Sequence, residues 1–207
     1  KYVLPRLRPH YFMLLNLFRD QLDRFGEIDR IQATIAEALA KTPETTFVFN
    51  GDDPLCAAIA DRIPNKSLAF GIASDMGLSA DRISDSRFCQ KCGGALEYDY
   101  VHYGQLGAYC CPDCGWARPE LAFAATNVRL EEDGFVFDID GRSVHTGHTG
   151  AYMVYNVLAA YAISKLSGIV SFENYQAAVR EYHPTNGRLQ TFDLGERKVM
   201  TNLAKCA

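Results

Sequence analysis

The chain has 207 residues, 48% hydrophobic and 22% charged, with a formal net charge of −4. Such a length and balance build one good core, or one core with a small satellite, in a soluble globular protein. The acidic balance excludes an electrostatic case for nucleic acid or an anionic membrane. No apolar run approaches the roughly 18 residues needed to span a bilayer.

No signal peptide opens the chain, so a cytoplasmic location is expected. The sequence starts at Lys1 and stops at Ala207 just after an apolar run, so both ends read as cut from a longer protein.

The first apolar run, Tyr11 to Asn16, reads as a buried strand. Ile28, Ile31, Ile35 and Leu39, at spacings of three and four, predict an amphipathic helix over 27–40. Thr46 to Asn50 is a second β-rich run. Strand, helix and strand over about 40 residues make a βαβ unit, and hence a parallel sheet. Asp53 is placed to cap the next helix, with Pro54 at its first position. Ser67 to Ile72 is a further strand, after which the pattern breaks.

Beyond a cysteine-rich stretch, 126–130 and 135–139 alternate around Glu-Glu-Asp-Gly as a hairpin. Tyr152 to Leu166 is a strongly apolar helix closed by Gly168. Ser171 caps another helix running to Tyr182, and two strands around Gly195 end the chain. The fold class is α/β: a mostly parallel sheet with flanking helices and an inserted four-cysteine ribbon. The boundaries read as 1–86, 87–119 for the ribbon, and 120–207.

Four of the seven cysteines form two pairs, Cys89-x-x-Cys92 and, eighteen residues on, Cys111-x-x-Cys114. An odd count with this pairing argues against a disulfide framework and matches the spacing of structural zinc sites. Two thiolates three positions apart grip one ion from a tight turn, and two such turns complete a tetrahedral site. Gly93 and Gly115 follow the pairs, where the backbone must turn toward sulfur. Tyr98 and Tyr100 share one strand face, and residues 104–107 make the reversal. Cys110 is the ambiguous neighbour; Cys111 completes the knuckle better.

Four sulfur ligands leave no position for water or substrate. The zinc is therefore structural, on the order of 10 kcal/mol of folding energy for a small module. Between Cys89 and Cys114, Lys91 stands alone against Glu97, Asp99 and Asp113, a poor footprint for a phosphate backbone. As a satellite, the ribbon should loosen on Cys92→Ser or Cys111→Ser while the sheet survives.

Asn16-x-x-x-Asp20-x-x-Asp23-x-x-Gly26 puts polar groups beyond the carboxyl end of a strand, where open α/β sheets bind ligands. This pattern resembles the central-domain signature of the Mur ligase family. The wording from Leu14 to Asp29 is similar to one branch of it, the MurT subunits of lipid II isoglutaminyl synthase. Gln21 stands where most Mur ligases carry a metal-coordinating His, and an inserted cysteine ribbon is also a trait of that branch.

Three further segments agree with the resemblance. Asn50-Gly51-Asp52-Asp53-Pro54 is similar to the family's Asn-x-Asp-Asp-Pro turn. Tyr152 to Ala160 resembles its adenine-side helix, and Gly187-Arg188 its phosphate-reaching Gly-Arg pair. The resemblance implies Asn156, Arg188, Asn50, Asp52 and Tyr152 as nucleotide-side residues. An Asn amide suits the adenine edge, and an Arg fork suits phosphate. Met153 departs from the family's Asn, Asn186 from an aromatic and Gln190 from Glu, which implies altered nucleotide contacts. No phosphate loop is present; in this family it lies upstream of Tyr11.

The resemblance implies that the parent protein uses ATP and Mg²⁺ to activate the D-glutamate α-carboxylate of lipid II. Ammonia from a glutamine amidotransferase partner of the GatD type then gives D-isoglutamine. Acceptor-side catalytic residues are expected in a C-terminal domain outside this chain. The competing readings are another amino-acid-adding Mur-like ligase, a zinc-ribbon binding module, and a degenerate paralogue kept as a partner-binding subunit.

Overall fold

A computed structural model describes residues 2–18, 28–77, 86–182, 190–195 and 197–201. After a single turn, α1 (Leu4–Leu7), the chain enters β1 (Tyr11–Leu14), α2 (Ile28–Ala40), β2 (Thr46–Asn50), α3 (Pro54–Ala60) and β3 (Ser67–Ile72). Strands β1, β2 and β3 pair in parallel, Phe12 opposite Phe47 and Phe49 opposite Ala69. The period-2 geometry of a strand decides what each side chain faces. Phe47 and Phe49 enter one core and Val48 the other.

The caps follow the local chemistry expected of them. Asp53 accepts from the Leu55 amide at 3.0 Å and opens α3 with Pro54 at its first position. Gln32 faces inward from α2 and donates to the Leu55 carbonyl at 2.8 Å, fixing α2 to α3.

After the cysteine segment, β6 (Leu121–Glu131) joins β3 in parallel, then turns back through β7 (Gly134–Ile139) and β8 (Arg142–Thr146). The sheet order is β1-β2-β3-β6-β7-β8. The sequence places β6 only from Thr126. The strand starts five residues earlier, in the Ala-rich stretch Leu121–Ala125, where tertiary pairing overrides a weak local preference. A register shift opposite Ala69 and Phe70 lets Leu121 face one core and Phe123 the other. Strand β8 has no counterpart in the sequence reading: its residues Arg-Ser-Val-His-Thr bury only Val144 and Thr146.

Helices α4 (Tyr152–Ser167) and α5 (Phe172–Glu181) cover one face. Helix α4 buries Met153, Val154, Tyr155, Leu158 and Ala162 and ends at Gly168, whose φ of 65° is the left-handed value that favours glycine. Ser171 caps α5 through the Asn174 amide at 3.2 Å. A short antiparallel pair, β9 (Gln190–Asp193) and β10 (Lys198–Thr201), follows. Among the described residues, no helix is long and apolar enough to cross a membrane.

The cysteine hairpin, β4 (Glu97–Tyr103) and β5 (Leu106–Cys110), is no satellite. Cys89, Tyr109, Cys111 and Trp116 belong to the same buried cluster as Phe47, Phe49 and Ile59. Leu106, at its turn, enters the opposite core beside Phe70 and Tyr155. The hairpin tip reaches past the carboxyl end of β1: Gln105 Nε2 donates to the Leu17 carbonyl at 2.8 Å. It thus lies across the end of the parallel strands where open α/β sheets place their ligand sites.

Candidate functional site

The two Cys-x-x-Cys turns are built alike. In each, the first cysteine's amide donates to a carbonyl five residues on, Cys89 to Gly94 and Cys111 to Trp116, both at 2.7 Å. Gly93 and Gly115 donate back to Cys89 and Cys111, both at 2.9 Å, at φ values of 78° and 72°. That left-handed backbone is the reason each pair is followed by glycine.

The four Sγ atoms of Cys89, Cys92, Cys111 and Cys114 lie within 4.8 Å of one another. Cys89 and Cys114 are 3.6 Å apart, and Cys92 and Cys111 3.5 Å. A tetrahedron with metal–sulfur bonds of about 2.3 Å has sulfur–sulfur edges of about 3.8 Å, so the quartet fits one four-coordinate ion. The Lys91 and Gly94 amides point at Cys89 and Cys92 Sγ at 3.4 Å. Burial works against ionising Cys89, yet the surrounding N–H groups and thiols bring it down to about 7. Cys110 is exposed on β5 and outside the quartet, whereas Cys111 is buried within it.

A second constellation sits between the hairpin, the turn after β2 and α4. Asp52 is fully buried and fully partnered. Its Oδ2 accepts from the Ile72 amide and the Tyr155 hydroxyl, both at 2.8 Å; its Oδ1 accepts from Arg118 at 3.1 Å. Arg118 also donates to the Ile72 carbonyl at 2.9 Å and lies 5.6 Å from the Tyr100 ring. Burial pushes the Asp52 carboxyl up to about 6, opposed by the Ile72 amide, Arg118 and Tyr155.

Asp53, equally buried, accepts from the Leu17 amide at 2.7 Å and from Leu55; burial raises it to about 6 as well. Asn50 turns its Oδ1 to the Asp52 amide at 3.0 Å, while its Nδ2 meets no partner among the described residues. His102 is buried beside Tyr100 and Tyr155. Burial pulls it down to about 4, with Asp75 and the Ile72 backbone opposing and Arg118 assisting.

The candidate nucleotide-side residues thus fall in different places. Asn50 and Asp52 are enclosed in the turn, Tyr152 is half-buried at the start of α4, and Asn156 is exposed on it. Met153, the departure from the family pattern, is buried in the core. Arg188, Gly187 and Asn186 lie outside the described residues, as do Asp20, Gln21, Asp23 and Gly26. The sequence reading misses Arg118, Tyr155 and Gln105 as parts of this constellation. Tyr155 lies inside the quoted helix segment, but Arg118 is 66 positions from its carboxylate and carries no local signal.

No family model matches the sequence. Among curated proteins, the chain is 35% identical over 202 residues to the lipid II isoglutaminyl synthase subunit MurT of Streptococcus pneumoniae, covering 96% of this chain and 44% of that protein. It is 31% identical to the Staphylococcus aureus subunit over 98% of this chain and 46% of that one. The chain therefore spans about half the length of the curated relatives it matches.

Similarity extends at 26% identity to a UDP-N-acetylmuramate–L-alanine ligase of Stenotrophomonas maltophilia, over 67% of this chain and 33% of that protein. Among solved structures, a pseudomurein peptide ligase type C from Methanothermus fervidus superposes with a TM-score of 0.75 at 23% identity, over 97% of this chain and 39% of that one. MurF from Acinetobacter baumannii gives 0.62 at 17% identity, over 96% of this chain and 34% of its own. The chain is thus similar to MurT subunits along nearly its whole length, and its fold is that of the Mur ligase structures on which it superposes.

Proposed function

We propose that this chain is the ligase-type part of an ATP-dependent, amide-forming enzyme of peptidoglycan synthesis, acting on the D-glutamate α-carboxylate of lipid II. The carboxylate would attack the γ-phosphate of ATP, giving an acyl phosphate and ADP. Ammonia supplied by a glutaminase partner of the GatD type would then displace phosphate and leave D-isoglutamine. Such chemistry is positioning and charge stabilisation around phosphoryl transfer, to which Mg²⁺ would contribute neutralisation of phosphate charge. The observation that carries the reading is the 35% identity to a MurT subunit running through 96% of the chain.

In this reading Asn156 and Tyr152 on α4, together with Arg188, face the nucleotide. Asn50 and Asp52 shape the turn beside it. The burial of Met153 supports the assignment, because a side chain packed in the core leaves the exposed face of α4 unaltered. The cysteine quartet holds zinc as a structural ion.

The test is product formation by the full-length protein with its glutaminase partner, supplied with ATP, glutamine and lipid II. Amidated lipid II that requires both subunits, with one ADP per amide, is the expected result. Nucleotide hydrolysis without amidation would turn the proposal toward another Mur-type ligation, and the absence of both would leave a binding subunit.

A further inference from the structure

We propose that Arg118 is a positioning residue through which the cysteine hairpin sets the placement of α4, and with it the exposed Asn156. This deepens the reading above and rests on the nucleotide role given there to Asn156.

The connection is continuous. Arg118 follows Cys114 by four residues, and its own amide donates to the Tyr109 carbonyl at 2.9 Å, which anchors it to β5. Its guanidinium reaches Asp52 and the carbonyl of Ile72, and Asp52 in turn receives the Tyr155 hydroxyl. Asp52 and Tyr155 are both buried, and the Arg118 side chain is only 20% exposed, so these bonds lie largely out of water. Charge-assisted bonds in such surroundings are the stronger kind, and a buried carboxylate deprived of its cation is costly enough to rearrange its neighbours.

Other contacts tie the same two elements together. Tyr103, on β4, packs edge-to-face on the Tyr155 ring at 5.8 Å, and His102 stands 6.2 Å from it. The Gly107 amide donates to the Asp52 carbonyl at 3.0 Å, fixing β5 to the same turn. Tyr155 and Asn156 are adjacent on one helix, one inside and one outside. A shift of α4 that follows loss of the Tyr155 anchor therefore moves Asn156 with it.

Arg118→Gln, Arg118→Lys and Tyr155→Phe are compared with wild type in the full-length protein. The readouts are amide hydrogen exchange of α4 without nucleotide, affinity for a non-hydrolysable ATP analogue, and bound metal. Arg118→Gln is expected to speed exchange in the first turns of α4 and weaken the analogue by about ten-fold, the worth of one charge-assisted hydrogen bond. Metal content stays at the wild-type level.

Tyr155→Phe reproduces both effects, and the double variant is no worse than Arg118→Gln alone, because the two act through one carboxylate. Arg118→Lys, which keeps the charge, recovers part of the loss. Additive effects, or faster exchange spread evenly over β1, β2 and β3, overturn the proposal by making Arg118 a general stabiliser. Unchanged exchange in α4 overturns it too. A wild-type protein with no affinity for the analogue sinks the nucleotide reading, and the exchange data and the cycle still decide the coupling. Should Arg118→Gln fail to fold, Tyr155→Phe, which removes a single oxygen, carries the test.

Discussion

Gly71 yields the space of its missing side chain to Asp52: a Cβ built on Gly71 would stand 2.4 Å from Asp52 Oδ1 and 2.8 Å from its carboxyl carbon. The carboxylate cannot retreat without breaking its bonds to the Ile72 amide, Arg118 and Tyr155. Gly71→Ala should therefore cost on the order of 2–4 kcal/mol, the range for disrupting a buried polar network. Gly147→Ala is the control, since a Cβ built there meets no atom of the described residues within 4 Å apart from its chain neighbours. Urea unfolding of both variants checks the contrast, and a Gly71→Ala protein as stable as wild type would refute the close approach.

The cysteine quartet shares its core with the sheet, so its loss is not local. Cys111→Ser is expected to release the bound metal and lower the unfolding midpoint of the whole domain, because Cys111 packs in the cluster of Phe47 and Phe49. Cys110→Ser should leave metal stoichiometry unchanged, being exposed and outside the quartet. Metal analysis combined with denaturation followed by circular dichroism separates the cases. A Cys111→Ser protein whose sheet unfolds at the wild-type midpoint would restore the satellite picture.

Asp53 is more than a helix cap. It accepts from Leu55 at the start of α3 and from Leu17 beyond β1, so it joins two strand ends. Asp53→Ala should cost about 2–3 kcal/mol, above the roughly 1 kcal/mol of an ordinary cap. Ser171→Ala, which removes a cap bond to Asn174 on the exposed side of α5, should stay near 1 kcal/mol. Equal losses for the two variants would show that the Leu17 bond contributes nothing.

Stability should vary with acidity through His102. Its folded pKa, about 4, lies below the ordinary value of 6.5, so its contribution is present above pH 6.5 and is lost as pH falls toward 4. Asp52 and Asp53, raised from 3.8 to about 6, work in the opposite sense: their contribution is present below about pH 4 and is lost as pH rises through 6. His102→Phe removes the first effect alone. At pH 7 it should be close to neutral, because a phenyl ring keeps the buried packing against Tyr100 and Tyr155. Relative to wild type it should gain about 2 kcal/mol between pH 7 and pH 4.5. A stability difference that does not change with pH would show that His102 titrates normally in the fold.

The hydrophobic periods of β1, β2 and β3, the helix at α4, the caps Asp53, Ser171 and Gly168, and the cysteine quartet were all legible in the residues themselves. Each is a local signal: a strand period, a cap or a knuckle spans a few positions and depends little on what lies across the fold. What the tertiary structure decided is non-local. Strand β6 became a fourth parallel strand because β3 offered an open edge to an Ala-rich stretch, not because Leu121–Ala125 favours strand. The hairpin joined the main core because Tyr109, Cys111 and Trp116 meet Phe47 and Phe49 there. Arg118, Asp52 and Tyr155 form one network only because three distant segments converge. The desolvation cost that makes such a network selective exists only once the fold has excluded water.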